Sequence, residues 1–258
     1  MRSSPLGLRT RVLAALVIRE TSARFGRSWG GYLWAVGEPL GGIVLLSVAF
    51  SFVVHAPPLG KSFVLFYATG VIPFLTYSAV AAGAMNALQA NRGLFVYPVV
   101  TPLDSILARA VLETLTFVVI AVLFFPALIR LTGEDPVTDP AAFALAMALA
   151  AALGLGVGTA NAVVATLFPA WRAIWSVLNR PLFIISGVLF PFDAVPDDLR
   201  PVIHANPLTH VIAVMRAAFY GKAQAVHASP AFVLFVAGAL FAVAGLVLAA
   251  RPSRFAAA

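Results

Sequence analysis

The residues best placed to do chemistry in this chain sit where charge is costly. Glu38, Arg109, Glu113 and Arg180 all lie within long apolar runs. A charge at membrane depth costs about 2.5–3.5 kcal/mol on insertion scales, so each needs a partner or a task. Arg109 precedes Glu113 by one helical turn, the spacing of an i,i+4 ion pair. Glu38 is followed by Pro39 and preceded by a basic stretch with Arg19, Arg24 and Arg27. The chemistry open to these groups is ion pairing and the recognition of anions. For each, the plain alternative is a structural ion pair or a side chain reaching the nearer interface. No two carboxylates are placed for general acid–base work, and no Ser-His-Asp set shares one side of the chain.

Other motifs are weaker. "HAPPLGKS" (55–62) ends like a phosphate-binding loop, but His55 stands where G-x-x-x-x-G-K-[ST] requires its first glycine. A tight turn is the better reading, and no ATPase site is expected on this chain. His55, His204, His210 and His227 lack the spacing of a helical metal pair, so they read as polar surface rather than a metal site. Gly154 and Gly158 form a G-x-x-x-G, which lets helix backbones approach closely. With no cysteine, disulfides and thiolate chemistry are excluded.

These residues must be positioned by membrane helices. Of 258 residues, 61% are hydrophobic and only 10% charged, with a mean hydropathy of +0.97. A soluble domain is nearer a quarter charged. The net charge of +7 fits a basic inner membrane face better than nucleic acid. Apolar runs predict six transmembrane helices at about 32–54, 63–86, 105–131, 141–168, 174–192 and 230–250. The fold class is therefore an all-α integral membrane protein, read as one transmembrane domain over 1–258. Arg9 and Arg11 followed by "VLAALVI" start like a signal peptide, but the run stops at Arg19-Glu20, so this segment is expected to remain cytoplasmic. Lys and Arg crowd the segments that then fall inside, which places both termini in the cytoplasm. Residues 8–27 are too polar to span. At 100° per residue Ala14, Ile18, Thr21 and Phe25 share a stripe opposite Glu20, Arg24 and Arg27, which predicts an amphipathic interface helix. Segment 193–229, between spans five and six, mixes charge with apolar runs and is expected to be a partly re-entrant outer segment.

Five ordered stretches carry a resemblance over nearly the whole chain. They are "RETSARFGRSWGGYLWAVGEPL", "PPLGKSFVLFYATGVIPF", "NRGLFVYPVVTPLDSILARAVLE", "RPLFIISGVLFPFDAVP" and "NPLTHVIAVMRAAFY". Together they resemble the transmembrane permease of ABC exporters for capsular polysaccharide, a class that also serves O-antigen and teichoic acid. The resemblance implies a permease homodimer with two ATP-binding subunits on separate chains. ATP and Mg would bind there, with no cofactor on this chain. It implies export of a lipid-linked acidic polysaccharide across a bacterial inner membrane, periplasmic and outer-membrane export proteins beyond it, and no nucleic acid. It also implies that loop 91–104 carries a coupling helix, so Asn91, Arg92, Tyr97 and Asp104 are the expected contacts to the ATPase subunit.

The residues extend this. Arg19, Arg24, Arg27, Trp29 and Glu38 would form a substrate entrance, with arginine forks for carboxylate or phosphate and Trp29, Tyr32 and Trp34 at headgroup level. Glu38 is expected to pair with an arginine. Tyr32, Trp34, Phe74, Tyr77, Phe190 and Phe192 are the expected aromatic lining of a polymer path. A drug or small-lipid exporter of the same fold is the nearer alternative. A membrane-embedded glycosyl- or acyltransferase is the more distant one, and it would need carboxylates or histidines gathered at one face.

Overall fold

The computed structural model describes residues 5–25, 29–52, 56–97 and 99–250. Among them it has nine α-helices and no strand. They are α1 (Pro5–Phe25), α2 (Trp29–Ser51), α3 (Phe63–Ala90), α4 (Pro102–Thr132), α5 (Pro140–Leu167), α6 (Trp171–Ile185), α7 (Arg200–His204), α8 (Pro207–Tyr220) and α9 (Pro230–Ala250). Of these, α3, α4, α5 and α9 are long and apolar enough to cross a membrane. In α2 the described apolar stretch is Leu40–Ser51.

Local chemistry sets the boundaries. Ser62 caps α3, its hydroxyl accepting from the Leu65 N–H. Thr101 and Asp104 form a reciprocal capping box with Pro102 opening α4, and Gly133 closes that helix at φ +64°. Asp139 caps α5 and Asn206 caps α8, each followed by proline. The GKS turn has a structural use throughout. Gly60 has φ +71°, the Lys61 N–H donates to Glu134 and Ser62 is the cap of α3.

α6 departs from the expected fifth span of 174–192. It ends at Ile185, roughly 22 Å long at 1.5 Å per residue. Gly187 then takes φ +76° and the chain turns back. Buried Arg216 of α8 fixes that turn by donating to the carbonyls of Phe190 (2.7 Å) and Val188 (2.9 Å), with its guanidinium over the Phe66 ring. Sequence patterning carried the apolar run through to 192 because it could not register these tertiary hydrogen bonds.

The core forms where α5 crosses α3. A Cβ on Gly154 would lie 2.7 Å from the Tyr77 carbonyl oxygen, and one on Gly158 would lie 2.6 Å from Ala84 Cβ. Between them, a Cβ on Gly156 would lie 2.3 Å from the Ala237 carbonyl of α9. The glycines thus seat α5 against two neighbours at once. α8 lies against α3 and α5 at the far end of the bundle from loop 91–104, with Phe219 stacked on Phe125 at 4.4 Å.

Candidate functional site

The charges meet at the end of the bundle that carries loop 91–104. Glu20, on α1, is only 4% exposed. Its Oε1 accepts from Asn91 Nδ2 at 2.6 Å, and its Oε2 pairs with Arg109 of α4. Asn91 ends α3 and begins the loop. Its Oδ1 accepts from Arg19, while Nδ2 also reaches the Ala87 carbonyl at 3.1 Å. The amide thus presents its oxygen to a cation and its N–H groups to an anion and a backbone carbonyl. Arg109 also lies 3.4 Å from Glu113, one turn further along α4. Two cations and two carboxylates balance between α1 and α4, bridged by the amide at the end of α3. An unpaired buried Glu20 would cost several kcal/mol, so the network holds α1 to α3 and α4. Gly83 makes room for it: a Cβ there would sit 3.0 Å from the Cγ atoms of both Arg109 and Glu113. A cavity of about 240 Å³ opens beside it, lined by Ala79, Ala82, Gly83, Asn86, Arg109 and Glu113.

This arrangement decides which side of α1 meets the protein. Leu16 and Glu20 are the buried residues, while Ala14 is exposed and Ile18 is 68% exposed. The polar side carrying Glu20 packs on the protein, and the stripe through Ala14 and Ile18 faces outward. A helix lying in a lipid interface can do this, because lipid accepts the apolar stripe that water would reject.

The other expected residues scatter. Arg92 and Tyr97 are exposed on the loop, beside exposed Val96 and Val99. Asp104 is held in the capping box of α4. Asn91 is 1% exposed, so its side chain faces the network instead of the loop surface. Phe74 and Tyr77 are buried in the core, Phe74 edge-on to Phe183 of α6 at 5.0 Å. Phe190 lies beside Arg216, and Phe192 lines a second cavity at the opposite end of the bundle. Arg27 lies outside the described residues. So do the side chains of Arg24, Trp29, Tyr32, Trp34 and Glu38, whose backbones belong to α1 and α2. The partner expected for Glu38 therefore falls outside the description. Sequence reasoning placed Glu20 on the polar side of α1 and gave it no partner. A carboxylate directly after Arg19, ahead of an Asn at a helix end, was the available signal.

Four bilayer-length apolar helices, with a charge network tying a fifth to a loop at one end, define a multi-pass membrane protein. The ABC-2 type transporter family profile matches residues 11–220, and the chain belongs to that family. It is 35% identical over 205 residues to the polysialic acid transport protein KpsM of Escherichia coli, covering 79% of each chain. It is 27% identical over 247 residues to the capsule polysaccharide export inner-membrane protein CtrC of Neisseria meningitidis serogroup A, covering 96% of this chain and 93% of the relative. With the corresponding BexB of Haemophilus influenzae it shares 26% over 243 residues, 94% of this chain and 91% of the relative. The chain is accordingly an inner-membrane transport subunit and not an enzyme.

Proposed function

We propose that this chain is the membrane-spanning subunit of an ATP-driven exporter that moves a lipid-linked acidic capsular polysaccharide from cytoplasm to periplasm. Family membership and three capsule-related relatives, two covering nearly their full lengths, support the cargo class. The observation that carries the mechanism is Asn91. One buried side chain joins the loop that exposes Arg92 and Tyr97 to the helix that presents Arg19. In this reading the loop lies in the cytoplasm against an ATP-binding subunit, and Arg92 and Tyr97 touch it. The ATP and Mg sites belong to that subunit. Movement of the loop shifts Asn91, which alters the hold of Arg19, Glu20 and Arg109 on one another. The basic helix then changes its seat on α4 and admits the anionic end of the cargo, which Arg19, Arg24 and Arg27 attract at the inner leaflet.

The reading includes a homodimer with two ATP-binding subunits, and periplasmic and outer-membrane export proteins that carry the glycan onward. It includes six spans in one permease domain, with α2 and α6 completing the set of α3, α4, α5 and α9. Both termini then lie in the cytoplasm and segment 193–229 lies on the outer side. The reading keeps Tyr32, Trp34, Phe190 and Phe192 as aromatic lining of the path at the dimer axis; Phe74 and Tyr77 are buried in the chain's own core, so they support α3 from behind instead of lining the path. A 24% match over 211 residues to the O-antigen export permease RfbA of Myxococcus xanthus, 81% of this chain and 80% of the relative, favours O-antigen as a second cargo.

The test is crosslinking from cysteine at Arg92 or Tyr97 to the ATPase subunit, together with surface-glycan analysis of a strain lacking this chain. Crosslinks and an intracellular build-up of capsular polymer are expected. Build-up of O-antigen instead would select the second reading. Labelling of a cysteine at Ala257 from the periplasm would overturn the even number of spans.

A further inference from the structure

At the end of the bundle opposite loop 91–104, five rings stand in unbroken contact. Phe232 meets His210 at 5.4 Å, His210 meets His204 at 4.6 Å, His204 meets Phe192 at 6.0 Å, and Phe192 meets His227 at 5.2 Å. They wall an open cavity of about 870 Å³ whose remaining lining includes Asp193, Asp197 and Arg200. The rings come from five separate places: the turn after α6, the end of α7, α8, the segment leading into α9, and α9 itself. Backbone hydrogen bonds fix them. His210 Nε2 lies 2.8 Å from the His204 carbonyl, and the Ser229 N–H donates to His210 Nδ1 at 3.1 Å. His204 Nε2 lies 3.1 Å from the His227 carbonyl. His210 is buried as the back wall, while His204 and His227 are exposed at the mouth.

We propose that this cavity is a saccharide-binding subsite that takes a pyranose ring of the emerging glycan by stacking. The assignment rests on the export reading above and places the site at the outer mouth. A pyranose has an apolar C–H face and a rim of hydroxyls. The ring strip meets the first, and the imidazole nitrogens and carboxylates at the rim meet the second. The charges argue against a tight anion site. Arg200 is already paired with Asp197 at 2.5 Å and bonded to the Val195 carbonyl at 3.1 Å, and Asp193 adds a further negative charge. Among the described residues no three histidines or carboxylates form a metal-binding group, so hydroxyls rather than a cation are the fitting guests. Recognition by ring faces without net positive charge is weak, as the exit of a moving acidic polymer requires.

The permease–ATPase complex in nanodiscs is the preparation to test, by saturation-transfer NMR with a sialic acid trimer and with maltotriose as probes. Transfer to the sugar ring protons is expected in the wild type for both probes. In Phe192→Ala with His227→Ala it falls about fivefold. His227→Ala alone, at an exposed position, should also weaken transfer, and melting of each variant checks that the fold is kept. Equal transfer in a folded variant and the wild type overturns the proposal, and so does no transfer from either probe in the wild type. If a strain lacking the chain still displays its capsule, the export reading itself has failed. If the capsule is lost but folded variants bind like the wild type, only the subsite has failed.

Discussion

Replacing Glu20 by alanine should release α1 from the bundle without dismantling it. The carboxylate is 4% exposed and makes two charge-assisted contacts, to Asn91 at 2.6 Å and to Arg109. Removing one partner of a fully buried ion pair costs about 3–5 kcal/mol. Two features lower that figure here. The Arg109 side chain is 25% exposed, so water takes up part of its charge, and Glu113 remains 3.4 Å away as a second counter-ion. About 2–3 kcal/mol remains, which at 1.4 kcal/mol per decade raises detachment of α1 about 30- to 140-fold. Hydrogen exchange of α1 amides in the reconstituted permease–ATPase complex reads this directly, with α3 and α5 as internal controls whose protection should hold. Glu20→Gln should fall between, since its amide oxygen still accepts from Asn91 but carries no charge for Arg109. In a cycle with Arg109→Ala the two losses should be strongly non-additive. ATP hydrolysis should continue while glycan export fails. Wild-type exchange of α1 in Glu20→Ala, or additive losses in the cycle, would refute the coupling role of the network.

Further outcomes follow from the same geometry. Gly158→Ala should destabilise the detergent-solubilised protein by about 1–3 kcal/mol through overpacking, whereas Gly238→Ala, where a Cβ meets nothing within 4 Å, should leave the melting midpoint in place. Arg24→Lys with Arg27→Lys should insert normally and export poorly, because topology counts both cations alike while bidentate anion recognition does not; wild-type export would leave these residues a purely topological role. Asp104→Ala should cost about 1 kcal/mol of stability or less by removing the returning half of the α4 capping box while Thr101 stays as the cap, while Arg92→Ala with Tyr97→Ala should lower export and crosslinking with little change in melting. Burial holds the His210 imidazole below its usual range. The folded segment therefore favours the neutral ring, and its stabilising effect is complete above that range and lost as pH falls through it toward the lower folded value. Thermal midpoints measured at about pH 7.5 and about pH 5.5 should show this loss, and His210→Gln should flatten it.

The sequence by itself determined the class of the protein and most of its helices. Apolar runs of bilayer length can only be helices whose backbone groups are satisfied internally, so α3, α4, α5 and α9 were legible to within a few residues. Thr101-Pro102 and Asp139-Pro140 cap α4 and α5 just ahead of the apolar runs, and Gly154 and Gly158 announced close packing without naming the helix opposite. The five ordered motifs placed the chain in its family before any coordinates did. Only the tertiary structure decided which charges meet. Glu20, Asn91 and Arg109 lie 71 and 89 positions apart in pairs, and no periodicity connects them. The same holds for the end of α6, fixed by Arg216 from 26 and 28 residues away. Of the histidines read as ordinary surface, His55 lies outside the described residues, and His204, His210 and His227 form one strip only because α7, α8 and the lead into α9 converge. Local sequence sets where a helix begins and which side is apolar. Which surface that side meets, lipid or protein, depends on neighbours that arrive from elsewhere in the chain, and that choice turned the Glu20 face of α1 inward.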